Sequence, residues 1–148
     1  MTVEEALILR QGRKLVFTNG VFDLLHAGHV QYLAEAASFG ELLIVGVNDD
    51  ESVRRLAKGP NRPINPLADR LFVLEGLRSV AAAVPFSEDT PEALIELLKP
   101  EVHVKGGDYT VEQLPEARIV LGYGGEVRIL PFLPGRSTTS ALRRLGVE

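Results

Sequence analysis

Two histidines three residues apart have the residue types and the spacing for chemistry. His26 and His29 stand in H-A-G-H, and on a helix this spacing places both imidazoles on one face, with Cβ atoms roughly 5–6 Å apart. Both rings can then hold one anion, and Gly28 between them leaves room for a phosphate to approach the backbone. The preceding T-N-G turn and the start of the helix add backbone amides and a favourable dipole. The pattern predicts a phosphate-binding site.

Two other interpretations of the histidine pair stay open from the residues alone. One histidine can cap the helix while the other packs in the core. Asp23 also forms a D-x-x-H-x-x-H series with the pair, and carboxylate and imidazole groups at these offsets suit several transition metals. The context favours a nucleotide, because the pair follows a strand ending in T-N-G and the chain has neither a P-loop nor a G-x-G-x-x-G fingerprint.

A long irregular segment, K-G-P-N-R-P-I-N-P at residues 58–66, is the next chemical feature. Its three prolines and one glycine exclude regular structure, while Lys58 and Arg62 supply two cations. Solvated surface charge is the alternative interpretation. A basic loop beside an α/β sheet is nevertheless a candidate lid over an anionic ligand.

The elements that must position these groups follow an alternating β and α pattern. Short β-rich runs alternate with longer helix-period runs, which predicts an α/β fold: a single Rossmann-like domain over residues 1–148, with about five mainly parallel strands and helices on both faces. The predicted strands are 15–18, 42–47, 80–84, 102–105 and 127–130. The predicted helices are 3–11, 26–38, 66–77, 90–98 and 114–123, with a last helix beginning within 137–140. The T-N-G turn thus falls at the carboxyl edge of the sheet, where ligands bind in such folds.

Composition excludes several classes of protein. The 148 residues carry a formal net charge of −4, so no overall field attracts polyanions, and a nucleic-acid partner is not expected. No stretch approaches the roughly 20 apolar residues that span a bilayer, and the first residues lack a signal-peptide pattern, so we expect no membrane partner and a cytoplasmic location. The absence of cysteine excludes disulfides, thiolate zinc sites and a cysteine nucleophile.

The segment G-V-F-D-L-L-H-A-G-H resembles the first signature of the cytidylyltransferase-like nucleotidyltransferase superfamily. Further motifs are similar, in order, to those of D-glycero-β-D-manno-heptose 1-phosphate adenylyltransferases and cover nearly the whole chain. They are R-P-I-N-P at 62–66, D-T-P at 89–91, V-K-G-G-D-Y at 104–109, G-G-E-V at 124–127 and S-T-T at 137–139. The H-x-G-H motif identifies only the superfamily, whereas the combined set is considerably more selective.

The resemblance implies an enzyme that transfers AMP from ATP to a sugar 1-phosphate, with Mg²⁺ carried on the phosphates and no metal site built by the protein alone. It implies catalytic roles for His26, His29 and Lys105. The implied nucleotide-binding residues are Thr18, Asn19, Gly20, Phe22, Gly28, Gly106, Asp108, Ser137, Thr138 and Thr139. The implied substrate-binding residues are Asp23, Lys58, Arg62 and Arg70.

Two departures from the related sequences affect partners and roles. Many relatives are fused to a sugar kinase, so we expect a separate sugar kinase to act upstream; a homodimer is a further implication of the resemblance. The closing motif, often I-S-S-T-x-I-R, reads R-S-T-T-S-A-L-R-R at 136–144, so no role is assigned to Arg143 or Arg144.

Two alternative functions share parts of this pattern. A glycerol-3-phosphate cytidylyltransferase would have the same two histidines and the S-T-T motif. A noncatalytic nucleotide-binding module that senses ATP is the other alternative, and the presence of both histidines with Lys105, Asp108 and the S-T-T motif argues against it.

Overall fold

Five parallel strands form one sheet in the computed structural model, which describes residues 1–56, 59–131 and 142–146. The strands are β1 (Leu15–Gly20), β2 (Leu42–Asn48), β3 (Ala82–Phe86), β4 (Val102–Gly106) and β5 (Glu126–Leu130). They lie in the order β3-β2-β1-β4-β5, and every neighbouring pair is parallel. The predicted Rossmann-like α/β fold is confirmed.

Helices cover both faces of the sheet, as parallel strands require. They are α1 (Val3–Arg10), α2 (Ala27–Ala37), α3 (Asp50–Arg55), α4 (Leu67–Glu75), α5 (Glu92–Leu98) and α6 (Ala117–Gly122), with a 3₁₀ turn at Val111–Gln113. One core cluster joins α2 and α4 to the sheet, and a second joins α1, α5 and α6 to the opposite face. Within the described ranges, no helix is long and apolar enough to cross a membrane.

Three elements differ from the sequence-based expectation. β3 runs two residues further along the chain than predicted and includes Pro85, which is tolerated because β3 is an edge strand and needs no outward-facing N–H. The short helix α3 was not predicted, although Asp49 caps it by accepting a hydrogen bond from the Ser52 amide. Helix α6 begins at Ala117, so Pro115 precedes the helix, whereas the predicted helix included it. The predicted start of the last helix lies outside the described residues.

The carboxyl ends of β1 and β4 form the topological switch point of the sheet. These strands pair with each other only through Val16↔Val102 and Phe17↔His103. β1 continues to pair with β2 up to Gly20, and β4 continues to pair with β5 up to Gly106. The chain therefore leaves a crevice between the ends of β1 and β4, which is where ligands bind in open α/β sheets.

Candidate functional site

His26 and His29 stand together at the N-terminus of α2, beside this crevice. His26 is the N-cap residue, and its Nδ1 accepts a hydrogen bond from the Gly28 amide at 3.0 Å. His29 Nδ1 in turn accepts from the His26 amide at 3.2 Å, and the two ring centroids lie 4.0 Å apart. Both histidines therefore stabilise the start of the helix, and the Gly28 amide, which we expected at a phosphate, takes part in the cap.

The capping bonds also determine where each imidazole carries its proton. Because each Nδ1 accepts a backbone N–H, the proton of each neutral ring lies on Nε2. Each ring therefore has an Nε2–H donor. Capping and anion binding are compatible, since they use opposite nitrogens of the same ring.

His29 is a neutral donor rather than a cation near pH 7. Burial, and secondarily the nearby His26, lower the pKa of His29 from its ordinary value of 6.5 to about 4. The Phe22 ring contributes to this burial, with its centroid 5.6 Å from that of His29. His29 can thus contribute a hydrogen bond to a phosphate without first releasing or gaining a proton.

Phe22 has a strained backbone that places its ring over the turn. Its φ of 50° lies in the left-handed region, which is unfavourable for an aromatic residue and is found mainly at functional sites and clamps. The ring packs so closely over Gly20 that a Cβ there would lie 3.0 Å from a Phe22 ring carbon. A side chain at position 20 would therefore require the Phe22 ring to shift slightly, and Phe22 shapes the turn that leads to the histidines.

Asp23 is buried and holds the segment at 62–66 against the turn. Its two carboxylate oxygens accept hydrogen bonds from the Ile64 amide at 2.7 Å and the Asn65 amide at 2.8 Å. The metal-ligand interpretation of D-x-x-H-x-x-H is weakened, because this carboxylate and both Nδ1 atoms accept backbone amides. Across the described part of the chain, no three histidine, aspartate or glutamate side chains group together as a metal site.

Arg70, which we expected to bind the substrate, is only 1% exposed and lies among backbone carbonyls. Nη1 donates to the carbonyls of Val21 and Asn48, at 2.8 and 2.7 Å, and Nε donates to that of Asn65 at 3.0 Å. Nη2 donates to the Asp50 carboxylate at 2.6 Å. Arg70 therefore joins the ends of β1 and β2 to the segment at 62–66. Arg62 in that segment is partly exposed.

Lys105 lies on the other side of the crevice, at the end of β4. Its Nζ is 5.7 Å from the centroid of the Tyr109 ring, a cation–π contact. Gly107 has a φ of 116°, which favours glycine, and its amide donates to the Leu130 carbonyl at 2.9 Å. Gly106 ends the strand, and Asp108 is exposed just beyond it. The expected β4 residues thus stand together at the carboxyl edge.

A buried pair supports this end of β4 from beneath. His103 Nε2 and Glu116 Oε1 are 3.0 Å apart, and both residues are buried. Burial alone would raise the pKa of Glu116, but the hydrogen bond from His103, its backbone hydrogen bond and the charge of Lys105 together hold that pKa below its usual value. Glu116 is therefore an anion on the same side of the sheet as Lys105. His103 is thus buried within β4 with a partner supplied by the fold itself.

Thr18 is buried in this structure. It is 0% exposed, and its hydroxyl lies 2.6 Å from the hydroxyl of Tyr32, which donates to the Val104 carbonyl at 3.2 Å. Tyr32 was not among the expected site residues, although it follows His29 at a spacing of three and so shares one side of α2. Asn19 Oδ1 is buried and has no hydrogen-bond partner among the described residues, so it is an acceptor that a ligand donor can satisfy.

Four expected site residues lie outside the described residues. They are Lys58, Ser137, Thr138 and Thr139. Their assignment to phosphate or substrate remains a prediction.

The parallel sheet with its switch point defines a Rossmann-like domain, and the paired imidazoles lie beside its ligand crevice. Comparison with known sequences gives the family. The cytidylyltransferase-like family profile matches residues 17–135, and the chain belongs to this family.

Within this family, the chain is similar to individual curated proteins over most of its length. The chain is 57% identical to the "Bifunctional protein HldE" of Pseudomonas paraeruginosa over 134 residues, covering 90% of this chain and 28% of that protein. It is 51% identical to the HldE protein of Hahella chejuensis, covering 98% of this chain and 31% of the relative. The chain thus spans less than a third of the length of these relatives.

One similar protein of known structure consists almost entirely of the matching domain. The lipopolysaccharide core biosynthesis protein of Thermoplasma volcanium superposes with a TM-score of 0.67 at 30% identity, covering 82% of this chain and 98% of that one. The similarity extends from the motifs to the whole fold.

Proposed function

We propose that this chain transfers AMP from ATP to D-glycero-β-D-manno-heptose 1-phosphate, forming ADP-heptose and pyrophosphate. The observation that carries the proposal is the pair of Nε2–H donors at the start of α2, beside the crevice whose other side bears Lys105. The likeness to the HldE proteins and to the lipopolysaccharide core biosynthesis protein supports the choice of a heptose phosphate.

The proposed reaction needs no general base. A phosphate oxygen of the sugar 1-phosphate, already an anion, forms a bond to the α-phosphorus of ATP while the bond from that phosphorus to the bridging oxygen of pyrophosphate breaks. No proton has to move. Catalysis then consists of positioning the two anions and stabilising the charge that builds on the α-phosphoryl and leaving groups.

The side chains at the crevice fit these two tasks. His26 and His29 donate Nε2–H to the phosphates, His29 as a neutral group, and Lys105 contributes a positive charge from the other side. The backbone of Thr18 to Gly20 lines the β1 side, with Phe22 shaping the turn. Asp23 and Arg70 contribute indirectly. They hold in place the segment at 62–66, which carries Arg62.

Magnesium fits this site only in company with the phosphates. The described residues bring together no set of three carboxylates or imidazoles, so the triphosphate itself would supply most of the ligands. We propose that the exposed carboxylate of Asp108, just after β4, holds either the ribose or a water of such an ion. When bound, Mg²⁺ would offset negative charge on the triphosphate.

Two further proposals concern partners. We infer that a sugar kinase supplies the 1-phosphate, because the acceptor must already carry a phosphate for this reaction. A homodimer is proposed from the resemblance alone.

We also propose phosphate contacts for four further residues, which are Lys58, Ser137, Thr138 and Thr139.

A pyrophosphate-release assay tests the proposed function. ATP or CTP is paired with heptose 1-phosphate or glycerol 3-phosphate, and each pair is assayed with and without Mg²⁺. We expect release with ATP and heptose 1-phosphate, in the presence of Mg²⁺, and little with the other pairs.

The other outcomes identify specific errors. Release only with CTP would reject ATP as the nucleotide substrate. Release only with glycerol 3-phosphate would reject the sugar. Release with no pair, while ATP still binds, would reject catalysis and favour a noncatalytic nucleotide-binding module.

A further inference from the structure

The hydroxyl of Tyr32 connects the two strands that border the crevice. β1 and β4 pair with each other for the last time at Phe17↔His103. Thr18 and Val104 are the next residues of each strand, and both accept or share a hydrogen bond with Tyr32. The tyrosine therefore contacts both strands at the position where their direct pairing ends.

The direction of these hydrogen bonds follows from the donors available. The Val104 carbonyl can only accept, so the single phenolic proton of Tyr32 goes to it. The bond of 2.6 Å to Thr18 must then run from the Thr18 hydroxyl to the Tyr32 oxygen. Thr18, Tyr32 and Val104 form one directed chain across the crevice.

Burial makes this chain of hydrogen bonds costly to break. Thr18 and Val104 are both 0% exposed, so neither polar group can turn to bulk water if the phenol is removed. Burial also raises the pKa of Tyr32, which keeps the phenol protonated and able to donate. A buried polar group left without a partner is destabilising, so the two strands would shift to recover partners.

We propose that Tyr32 is a positioning residue whose hydroxyl sets the separation of β1 and β4 at the nucleotide crevice. The inference rests on the proposed function, because the histidine side and the Lys105 side must contact one triphosphate together. Tyr32 lies on α2, the helix that begins with the histidines, so the same element positions the imidazoles and the β4 side. Even a small misplacement of groups that act on one ligand can greatly lower the reaction rate.

Tyr32→Phe tests this role, with Tyr123→Phe as the matched control. Tyr123 is also a partly buried tyrosine, and its hydroxyl donates to the Pro100 carbonyl at 2.6 Å. Pro100 precedes β4, at the opposite edge of the sheet from the crevice. Both variants lose a phenolic hydrogen bond and should lose stability, but only one of these bonds crosses the crevice.

The primary measurement is the Kd for ATP by calorimetry, well below the Tm of each variant. We expect Tyr32→Phe to raise the Kd on the order of tenfold and to lower turnover as well, because groups on both sides of the crevice must meet one ligand. Tyr123→Phe should stay within about twofold of wild type, since its site is remote. Equal Kd values for the two variants, or a wild-type chain that does not bind ATP, would overturn the inference.

A double-mutant cycle separates positioning from a direct role of Thr18. Thr18→Val removes the hydroxyl at nearly constant shape, and if the chain of hydrogen bonds is one unit, the double variant with Tyr32→Phe should be little worse than either single variant. Additive losses would overturn the inference. A wild-type chain that binds ATP but does not release pyrophosphate would instead defeat the proposed function, while the Kd comparison still decides the role of Tyr32.

Discussion

His26 and His29 each cap α2 through Nδ1, which leaves Nε2 available to a ligand. Nδ1 stabilises the start of α2, and this bond leaves the proton on Nε2, where it can be donated to a phosphate. The capping and phosphate interpretations, which compete when only the sequence is considered, are therefore compatible in one arrangement. A variant that keeps the cap but loses the Nε2–H donor separates the two roles.

Replacing His26 should reduce turnover far more than stability. His26→Ala is expected to lower kcat on the order of 10²–10³-fold, the scale for one transition-state donor. His26→Asn should lower kcat similarly, but its side chain can still cap α2, so it should avoid most of the roughly 1 kcal/mol that loss of a cap costs. Steady-state kinetics and urea unfolding of both variants measure this. Near-normal kcat in the two variants would contradict a catalytic role for His26.

The lowered pKa of His29 predicts a pH dependence of stability. The unfolded chain binds a proton at His29 below about pH 6.5, whereas the folded chain does so only near pH 4. Stability contributed by neutral His29 is thus present above pH 6.5 and is lost as the pH falls toward 4. NMR titration of the three histidines should show one imidazole with a pKa of about 4.

His29→Asn is the control for this pH effect. It removes the titrating group while keeping an acceptor for the His26 amide. Its free energy of unfolding should fall less than that of wild type between pH 6.5 and pH 4.5. Identical pH profiles for the two proteins would show that His29 does not titrate as described.

Among the elements, the segment at 62–66 is held in place by buried charges from two directions. Asp23 accepts two of its amides, and Arg70 donates to the Asn65 carbonyl while also reaching Val21 and Asn48. The ends of β1 and β2 are thereby coupled to the segment that was expected to cover the ligand. Its position follows from these contacts rather than from its own backbone pattern.

Arg70→Lys should destabilise the chain strongly, because one ammonium cannot replace four guanidinium hydrogen bonds. We expect a loss of about 3 kcal/mol in the free energy of unfolding, the scale for breaking a buried ionic network. Arg55→Lys is the matched control, since Arg55 also pairs with an aspartate, Asp89, but its side chain is 47% exposed. That change should cost far less, because the Arg55–Asp89 pair is exposed to solvent. Urea unfolding compares them, and equal losses would refute the structural role of Arg70.

For the molecule as a whole, the strand order determines where the site lies. β1 leads outward to β2 and β3, and the chain then returns to place β4 and β5 on the other side of β1. This reversal opens the crevice between β1 and β4 and brings residues near 20 and near 105 together. Family membership and the 0.67 TM-score agree with the same arrangement.

The sequence by itself determined the class of fold and the family, and it predicted the centre of the candidate site. Alternation of β-rich and helix-period runs is a local property, so the strands and most helices were predictable to within a few residues. The H-A-G-H and K-G-G-D-Y motifs are also local, and strand ends in a parallel sheet must share one edge. Errors arose where context overrides local signals, as at Pro85, which only an edge strand accepts in this position.

Only the tertiary structure decided which polar side chains bind the protein's own backbone and which are left available to a ligand. Arg70 and Asp23 have the residue types of substrate ligands, yet their partners lie up to 49 residues away and bury them. Tyr32 reaches the Val104 carbonyl across 72 residues of sequence. Whether a charge or hydroxyl meets a ligand or the backbone depends on how helices pack over the sheet, because burial requires a partner for every polar group. Residue type and spacing carry no record of that packing.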